Sequence, residues 1–417
     1  MNMLIKALKF LNPLFGLLNQ KRPSSCPYCG SKLIKKNGGY LRHPADFKGI
    51  RKLRVQRYQC LICMKTFSEP IPDIPPRARY TRRVIRKSLD MYFHLFASLR
   101  KVAEWIRSEI NGTERARIWD PLLRAKPPKE KVRLSHVTCW RWAKKAAERA
   151  PQEGAFSGIP QSGALVIDAT GIVTKGIKKG LLVIADGVKR VIYSLDQIAK
   201  EGGEEVLTIS EKLSSLGVKL EEIKVMLSDR HGAYEYMRQM ALWWAKHQFC
   251  VFHLWRNLFR LLKEYKREAG EEAAKRLKGA IKAVWSANDW AELLLAWGSL
   301  LFDFSADEKA KKIIEFVGET LPGATVHLSG VVPGLGKTSN VAEWVFRRFK
   351  PRYWILQCFM SDRGADDFLR LWQVYMNFHR YQVRKERKRK YPYPGLCPLE
   401  IAGVKTGEIC WLDVLEV

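Results

Sequence analysis

From Gly163 onward the apolar positions gather into short β-branched runs separated by turn residues. ALVIDATG, GLLVIADG and KRVIYSL are divided by glycine-rich turns and predict three successive strands. Glu211 to Leu216 has helical spacing, IKVMLSD predicts a fourth strand ending on an acid, a helix follows over Tyr234–Ala245, and QFCVFH predicts a fifth strand. Trp255 to about Phe316, rich in Lys, Glu, Ala, Leu and Trp, is helical in pattern. Its Trp285, Trp290 and Trp297 are expected in a packed interior, with stacking on exposed bases as the alternative.

Upstream the pattern differs. CPYCGSKLIKKNGGY and RKLRVQRYQCLICMKTF alternate basic and apolar residues around Leu53, Val55 and Tyr58. After the proline-bearing EPIPDIPPR, the stretch from Tyr80 to about Ala150 is basic and helical; SLRKVAEWI and LSHVTCWRWAKKA within it have the look of helix-turn-helix elements, the second capped by Ser135. The chain therefore divides into a lead-in and cysteine-bearing segment at 1–76, a helical region at 77–155, a first core part at 160–254, a helical insertion at 255–337 and a last core part with a basic tail at 338–417. Three strands in succession followed by alternating helix and strand is the order of the ribonuclease H-like fold, an α/β class with a mixed sheet.

Composition adds a partner. The 417 residues are 47% apolar, ample for two or three cores. A formal charge of +31, from 73 Lys and Arg against 42 acids, points to a polyanion, and nucleic acid is favoured over a membrane surface. No stretch reaches the roughly 18 to 20 uninterrupted apolar residues of a spanning helix. The N-terminal twenty residues are broken by Lys6, Lys9 and Pro13 without a small-residue cleavage pattern, so an amphipathic lead-in helix is expected rather than an export signal. An intracellular protein is expected, cytoplasmic and nucleoid-associated in a prokaryotic host.

Of nine cysteines, Cys26, Cys29, Cys60 and Cys63 form two Cys-x-x-Cys pairs with the spacing of a zinc ribbon, in which four thiolates close a tetrahedral structural site. One zinc is expected there, with Lys35, Lys36, Arg51, Lys52, Arg54 and Arg57 toward phosphate; in the helical region His136, Thr138, Arg141 and Lys145 fall to one side. GVVPGLGKT is not a phosphate loop, because Gly330 to Gly336 holds one residue too many, and no nucleotide cofactor is expected.

Phosphodiester chemistry on this fold uses carboxylates to hold two divalent ions roughly 3.5 to 4 Å apart. Asp168 stands inside the first strand and Asp229 just after the fourth, strands that lie side by side in that fold. In TSNVAEWVFRRFKPR, Asn340, Glu343 and Arg347 lie one helical turn apart, with Val341, Val345 and Phe349 marking an apolar stripe on another side. Asp186, on the second strand at a glycine turn, is the rival to Asp168 and is assigned to the turn. Cys250 and His253 are ligands of a second metal only if the strand ends between them, because positions three apart on one strand face opposite ways.

The block from Ser228 to Asn257, SDRHGAYEYMRQMALWWAKHQFCVFHLWRN, resembles the region around the second catalytic aspartate of Mutator-type DDE transposases of insertion sequences. The Asn340-x-x-Glu343 helix resembles the one carrying the last acid in that group, and YMNFHRYQVRKERKRKYPYPGLCPLEIAG, with its basic Arg384–Lys390 cluster, resembles the closing segment. The resemblance spans about Leu165 to Gly403. It implies magnesium- or manganese-dependent cleavage at transposon ends by Asp168, Asp229 and Glu343, followed by attack of the freed 3′ hydroxyl on target DNA. It also implies His253 near the scissile phosphate, Arg256, Arg347 and Arg348 toward DNA, and Cys250 packed inward. The implied partners are double-stranded DNA, as terminal inverted repeats and as target, and further copies of the chain in at least a dimer. The ribbon departs from the commonest layout of the group. Two alternatives remain open: a non-catalytic DNA-binding derivative, and another ribonuclease H-like nuclease.

Overall fold

The computed structural model describes residues 23–71, 73–111, 132–151, 153–199, 202–381 and 393–416. The expected lead-in helix and the Arg384–Lys390 cluster lie outside them. The chain forms two compact units, one running to Ala150 and taking in the residues from Glu408 onward, the other spanning Pro151–Gly407.

In the first unit, β1 (Ile34–Arg42), the short β2 (Ala45–Asp46) and β3 (Gly49–Ile50), β4 (Leu53–Cys60) and β5 (Thr66–Ser68) precede three helices, α1 (Arg82–His94), α2 (Leu99–Asn111) and α3 (His136–Ala147). Strands β1, β4 and β5 form an antiparallel ribbon, in which Val55 and Tyr58 are buried and Arg54 and Arg57 exposed. Buried Asp46 ties this region to the helices by accepting from Thr81 Oγ1 at 3.2 Å and pairing with Arg83 at 3.0 Å. As expected, Ser135 caps α3, its hydroxyl accepting from the Thr138 amide. Cys139, Ala143, Ala146 and Ala147 face inward and Arg141 and Lys145 outward. The two helix-turn-helix candidates are thus helices, yet residues 112–135 lie between α2 and α3 where that motif has a turn of roughly three or four residues.

The end of the chain returns to this unit instead of extending the core: Arg86 pairs with Asp413 at 2.6 Å, and Trp411 meets Phe93 edge-on.

The second unit is built on β6 (Ala164–Thr174), β7 (Ile177–Asp186), β8 (Ile192–Ile198), β9 (Val225–Ser228) and β10 (Lys246–Phe249), in sheet order β10-β9-β6-β7-β8. The first three are antiparallel neighbours, and β9 and β10 run parallel to β6. This is the mixed sheet expected of a ribonuclease H-like core. Alternation along β6 sends Leu165 and Ile167 to one face, where they pack with Met226, Val206, Ile209 and Tyr234 beneath α4 (Gly203–Ser215) and α5 (Gly232–Ala241). Asp168, one residue out of phase, is left for the other face.

Four helices follow β10: α6 (Val251–Ala269), α7 (Glu271–Ser286), α8 (Trp290–Phe304) and α9 (Lys311–Ala324). They enclose a core of their own containing Leu258, Leu277, Ile281 and Leu300. Trp285 is buried there and Trp297 packs against it, but Trp290 is half exposed, contrary to expectation. The predicted fifth strand also ends early. Cys250 is the N-cap of α6, and His253 stands in its first turn. The chain then enters α10 (Asn340–Leu356), which packs on β6 and β7, and α11 (Asp362–Phe378), which packs on β8. Gln373 and Asn377 of α11 bond to the backbone of Tyr193 and Ile192, fixing the edge of the sheet. Two short turns of helix, α12 (Pro398–Ile401) and α13 (Trp411–Val414), end the chain, and in the first Glu400 accepts from Arg380, Thr406 and the Cys397 amide.

Candidate active site

A cleft of about 370 Å³ opens between β6, the start of α6 and α10, lined among others by Asp168, His253, Arg256, Ser339, Asn340, Glu343, Arg347 and Lys350. Its floor is Asp168, only 8% exposed. Ser339 Oγ donates to one carboxylate oxygen at 2.8 Å and the Ala169 amide to the other at 2.9 Å. Burial raises the Asp168 pKa and the nearby Asp229 charge adds to the rise, while Ser339, His253 and the Ala169 amide work against it. A hard oxygen donor in such surroundings suits a divalent cation, whose charge would offset what burial costs the carboxylate.

Ser339 was not legible as a site residue. It precedes the first turn of α10, the usual place of a cap, but its side chain makes no capping bond and its hydroxyl is turned to Asp168 instead. That hydroxyl also touches Cys250 Sγ at 3.4 Å, and the Ser339 amide reaches the same sulfur at 3.4 Å. Burial pushes the Cys250 thiol up, but His253 and Ser339 more than offset this and leave its pKa lowered. The same neighbour acts on His253, whose pKa is raised by Cys250 and by the Asp168 and Asp229 charges, against the effect of burial. Contacts therefore run from Cys250 through Ser339 to Asp168, and the His253 amide donates to the Cys250 carbonyl at 3.0 Å.

Asp229, half-buried at the end of β9, lies outside the lining of this cleft but within electrostatic reach of Asp168 and His253. Its oxygen accepts from the His231 amide at 3.0 Å at the start of α5. Behind it, Ser228 Oγ meets His247 Nε2 at 2.7 Å, and His247 Nδ1 meets Glu235 Oε2 at 2.9 Å. Glu235, held at a pKa of about 2 chiefly by Arg238, keeps its charge and accepts from Nδ1–H, while the Ser228 hydroxyl lies between His247 Nε2 and the Asp229 carbonyl, which it reaches at 2.9 Å. The order serine, histidine, carboxylate is that of a hydrolase triad, but Ser228 is fully buried and offers no path to a substrate. These bonds anchor β9 and β10 beside Asp229.

Glu343 is half exposed on α10 and pairs with Arg347 at 3.2 Å, four residues on. Asp168 and Glu343 thus line one cleft, Asp229 stands outside its lining, and the three do not converge; among the described residues, only the four ribbon cysteines gather three or more ligand atoms within 4.8 Å of one another. The Val341, Val345 and Phe349 stripe is buried as expected. Arg256 and Arg347 join the cleft, as does Lys350, which sequence reasoning missed, whereas Arg348 is not among its lining residues. Asp186 belongs to the turn: it accepts from Ser162, from the Val188 and Lys189 amides and from Tyr193. Lys337, from the segment resembling a phosphate loop, donates to the Ser286 and Ala287 carbonyls and thereby closes the end of α7.

In the first unit, Cys26 and Cys63 sulfurs are 3.6 Å apart, as are those of Cys29 and Cys60. Bonds from the sulfurs to zinc of about 2.3 Å imply tetrahedron edges of about 3.8 Å, so the donor set fits such an ion. The Cys63 and Ile62 amides point at Cys60 Sγ and lower its pKa to about 6, favouring the thiolate a metal requires.

The mixed sheet thus sets a buried aspartate in a cleft rimmed by a histidine, a glutamate and three cationic side chains. Over residues 164–326 the chain matches the model of the transposase, Mutator family, which bears out the resemblance read around Asp229. The match includes Asp168, Asp229, Cys250, His253 and Arg256 and ends before Glu343. Among solved structures, the HTLV-2 integrase catalytic core domain, in complex with magnesium and in a trimeric form, aligns at 18% identity over 44% of this chain and 96% of its own, with a TM-score of 0.18. No curated protein matches the chain. No helix among the described residues is long and apolar enough to cross a membrane.

Proposed function

We propose that the protein is a DDE transposase that cleaves at the ends of a DNA element and joins them to target DNA. The observation that carries this is Asp168, buried on the core sheet and hydrogen-bonded by Ser339, in one cleft with His253 and Glu343, within a Mutator-family domain. Asp168, Asp229 and Glu343 would hold the divalent ions, magnesium or manganese, which when bound supply a lowered water pKa and stabilisation of the leaving oxygen. The exposed Glu343–Arg347 pair stands in the way of convergence only weakly, since such i,i+4 pairs contribute a few tenths of a kcal/mol. Glu343 would hold the cation in place of this partner, and Arg347 would then join Arg256 and Lys350 in holding the phosphate backbone.

His253, its pKa raised by its neighbours, donates a proton or hydrogen bond to a phosphate oxygen. Ser339 holds the Asp168 carboxylate in place, and Ser228, His247 and Glu235 do the same for the strand end bearing Asp229. The four-cysteine ribbon takes one structural zinc, and Arg54, Arg57, Arg141 and Lys145 extend the contact with duplex DNA. Two ends are brought together by at least two copies of the chain, in the cytoplasm with the host nucleoid.

The test is cleavage and joining of a labelled duplex carrying the element's end, with magnesium, manganese or a chelator, by the wild type and by Asp168→Asn, Asp229→Asn and Glu343→Gln. Metal-dependent joining lost in all three variants supports the reading. Binding without cutting by the wild type favours the non-catalytic alternative, and cutting without joining the nuclease.

A further inference from the structure

The first unit holds a second cavity, of about 270 Å³, lined by Tyr40, Arg42 and His43 from the end of the ribbon and by Arg77 and Arg79 from the loop before α1. None of its lining residues is acidic. Asp46 and Asp73, on the neighbouring chain segments, are already engaged, Asp46 by Arg83 and Arg51 at 3.0 and 3.4 Å and Asp73 by Arg51 at 3.4 Å. Among the described residues, the guanidinium groups of the cavity are therefore given no carboxylate partner within its lining.

The cavity is also built. Arg42 is fixed by donating to the Pro75 and Ala78 carbonyls, which leaves its other N–H groups for a ligand. The loop is tied to β2 by the Ala45 amide donating to the Arg79 carbonyl at 2.8 Å. Arg77 is held at φ 60°, a left-handed conformation that costs a non-glycine residue about 1–3 kcal/mol and tends to persist where a side chain has to be aimed.

Planar guanidinium groups around a concave, acid-free space fit a tetrahedral oxyanion. The surroundings select the kind. On the ribbon the lining residues Tyr40 and Arg42 share one face of β1, and Arg77 and Arg79 stand exposed at the rim of the cavity. With 73 Lys and Arg against 42 acids the chain suits a polyanion, so the oxyanion that reaches this rim is one phosphate of a chain of phosphates.

We propose that this cavity seats a backbone phosphate of duplex DNA and sets the register of the first unit on it. The inference rests on the transposase reading for the choice of DNA over RNA.

The experiment is fluorescence anisotropy of the full chain with a labelled DNA duplex across a salt series, comparing the wild type with Arg77→Gln/Arg79→Gln and with Arg77→Lys/Arg79→Lys. Each lost phosphate contact lowers the slope of log affinity against log salt by about 0.9. The expected result is a fall of about 1 for the glutamine pair, with the lysine pair close to wild type. Both side chains are exposed, and an unchanged melting temperature shows that the fold is intact. A wild-type slope in the glutamine variant overturns the cavity assignment and leaves the transposase reading standing. A wild type that binds no duplex overturns both, and a loss seen only with an RNA duplex of the same sequence overturns the assignment to DNA.

Discussion

Replacing Ser339 with alanine removes one hydroxyl from the cleft and tests whether the contacts beneath Asp168 serve the metal site. The bond it breaks is 2.8 Å long, between groups 5% and 8% exposed, so water cannot take its place without opening the core. A hydrogen bond to a charged group contributes about 1.5–3 kcal/mol. That loss falls on the ionised carboxylate, the form that binds a cation, and at about 1.4 kcal/mol per decade it amounts to a 10- to 100-fold weaker metal affinity. Calorimetric titration of the full chain with manganese, and the magnesium dependence of joining, both report it. The midpoint moves up by that factor in Ser339→Ala, and the rate recovers toward wild type at saturating metal. Ser339→Thr, which keeps the hydroxyl, stays within about threefold of wild type. A midpoint unchanged within twofold in the alanine variant, alongside a lower melting temperature, would refute the argument and leave Ser339 a packing residue.

Three further outcomes follow from the same geometry. Asp168→Asn raises the melting temperature at pH 7 in metal-free buffer: a raised carboxyl pKa means that stability falls as pH climbs from its unfolded value through its folded one, and the amide escapes this cost; scanning calorimetry checks it, with magnesium stabilising the wild type alone. Glu235→Gln destabilises at neutral pH by about 1 kcal/mol, discounted from the full shift because the side chain is 36% exposed; since the shift runs from 4.5 down to about 2, the gap from wild type in acid-denaturation curves is full above pH 4.5 and narrows below it. Removing zinc by chelation, or Cys60→Ser, unfolds the ribbon and weakens duplex binding while the melting of the core unit is unmoved, a split visible as two calorimetric transitions.

What was legible in the sequence follows the range of the interactions. The strands of the core announce themselves because each is a β-branched run bounded by glycine, and the sheet order follows from three hairpin-like strands preceding the first helix. Glu343 was legible because its helix carries an apolar stripe that fixes which side faces in. The burial of Cys250 was expected, but its place at the start of a helix was not, since QFCVFH is apolar enough for a strand or a buried helix start, and only the packing of α6 decides. Ser339 and Asp168 are 171 residues apart, and Ser228 and His247 are joined across neighbouring strands; no local signal marks such pairs. Trp290 was misplaced because a tryptophan on a helical stripe carries no mark of which side its neighbours cover.

The central claim is that Asp168, Asp229 and Glu343 hold the same cations. It is tested most directly by anomalous diffraction from crystals of the full chain bound to its element's end and soaked in manganese. The account predicts manganese peaks bounded by all three carboxylates, with Glu343 turned away from Arg347. Peaks at Asp168 and Asp229 with Glu343 still paired to Arg347, or no peak beside Asp168, would contradict it.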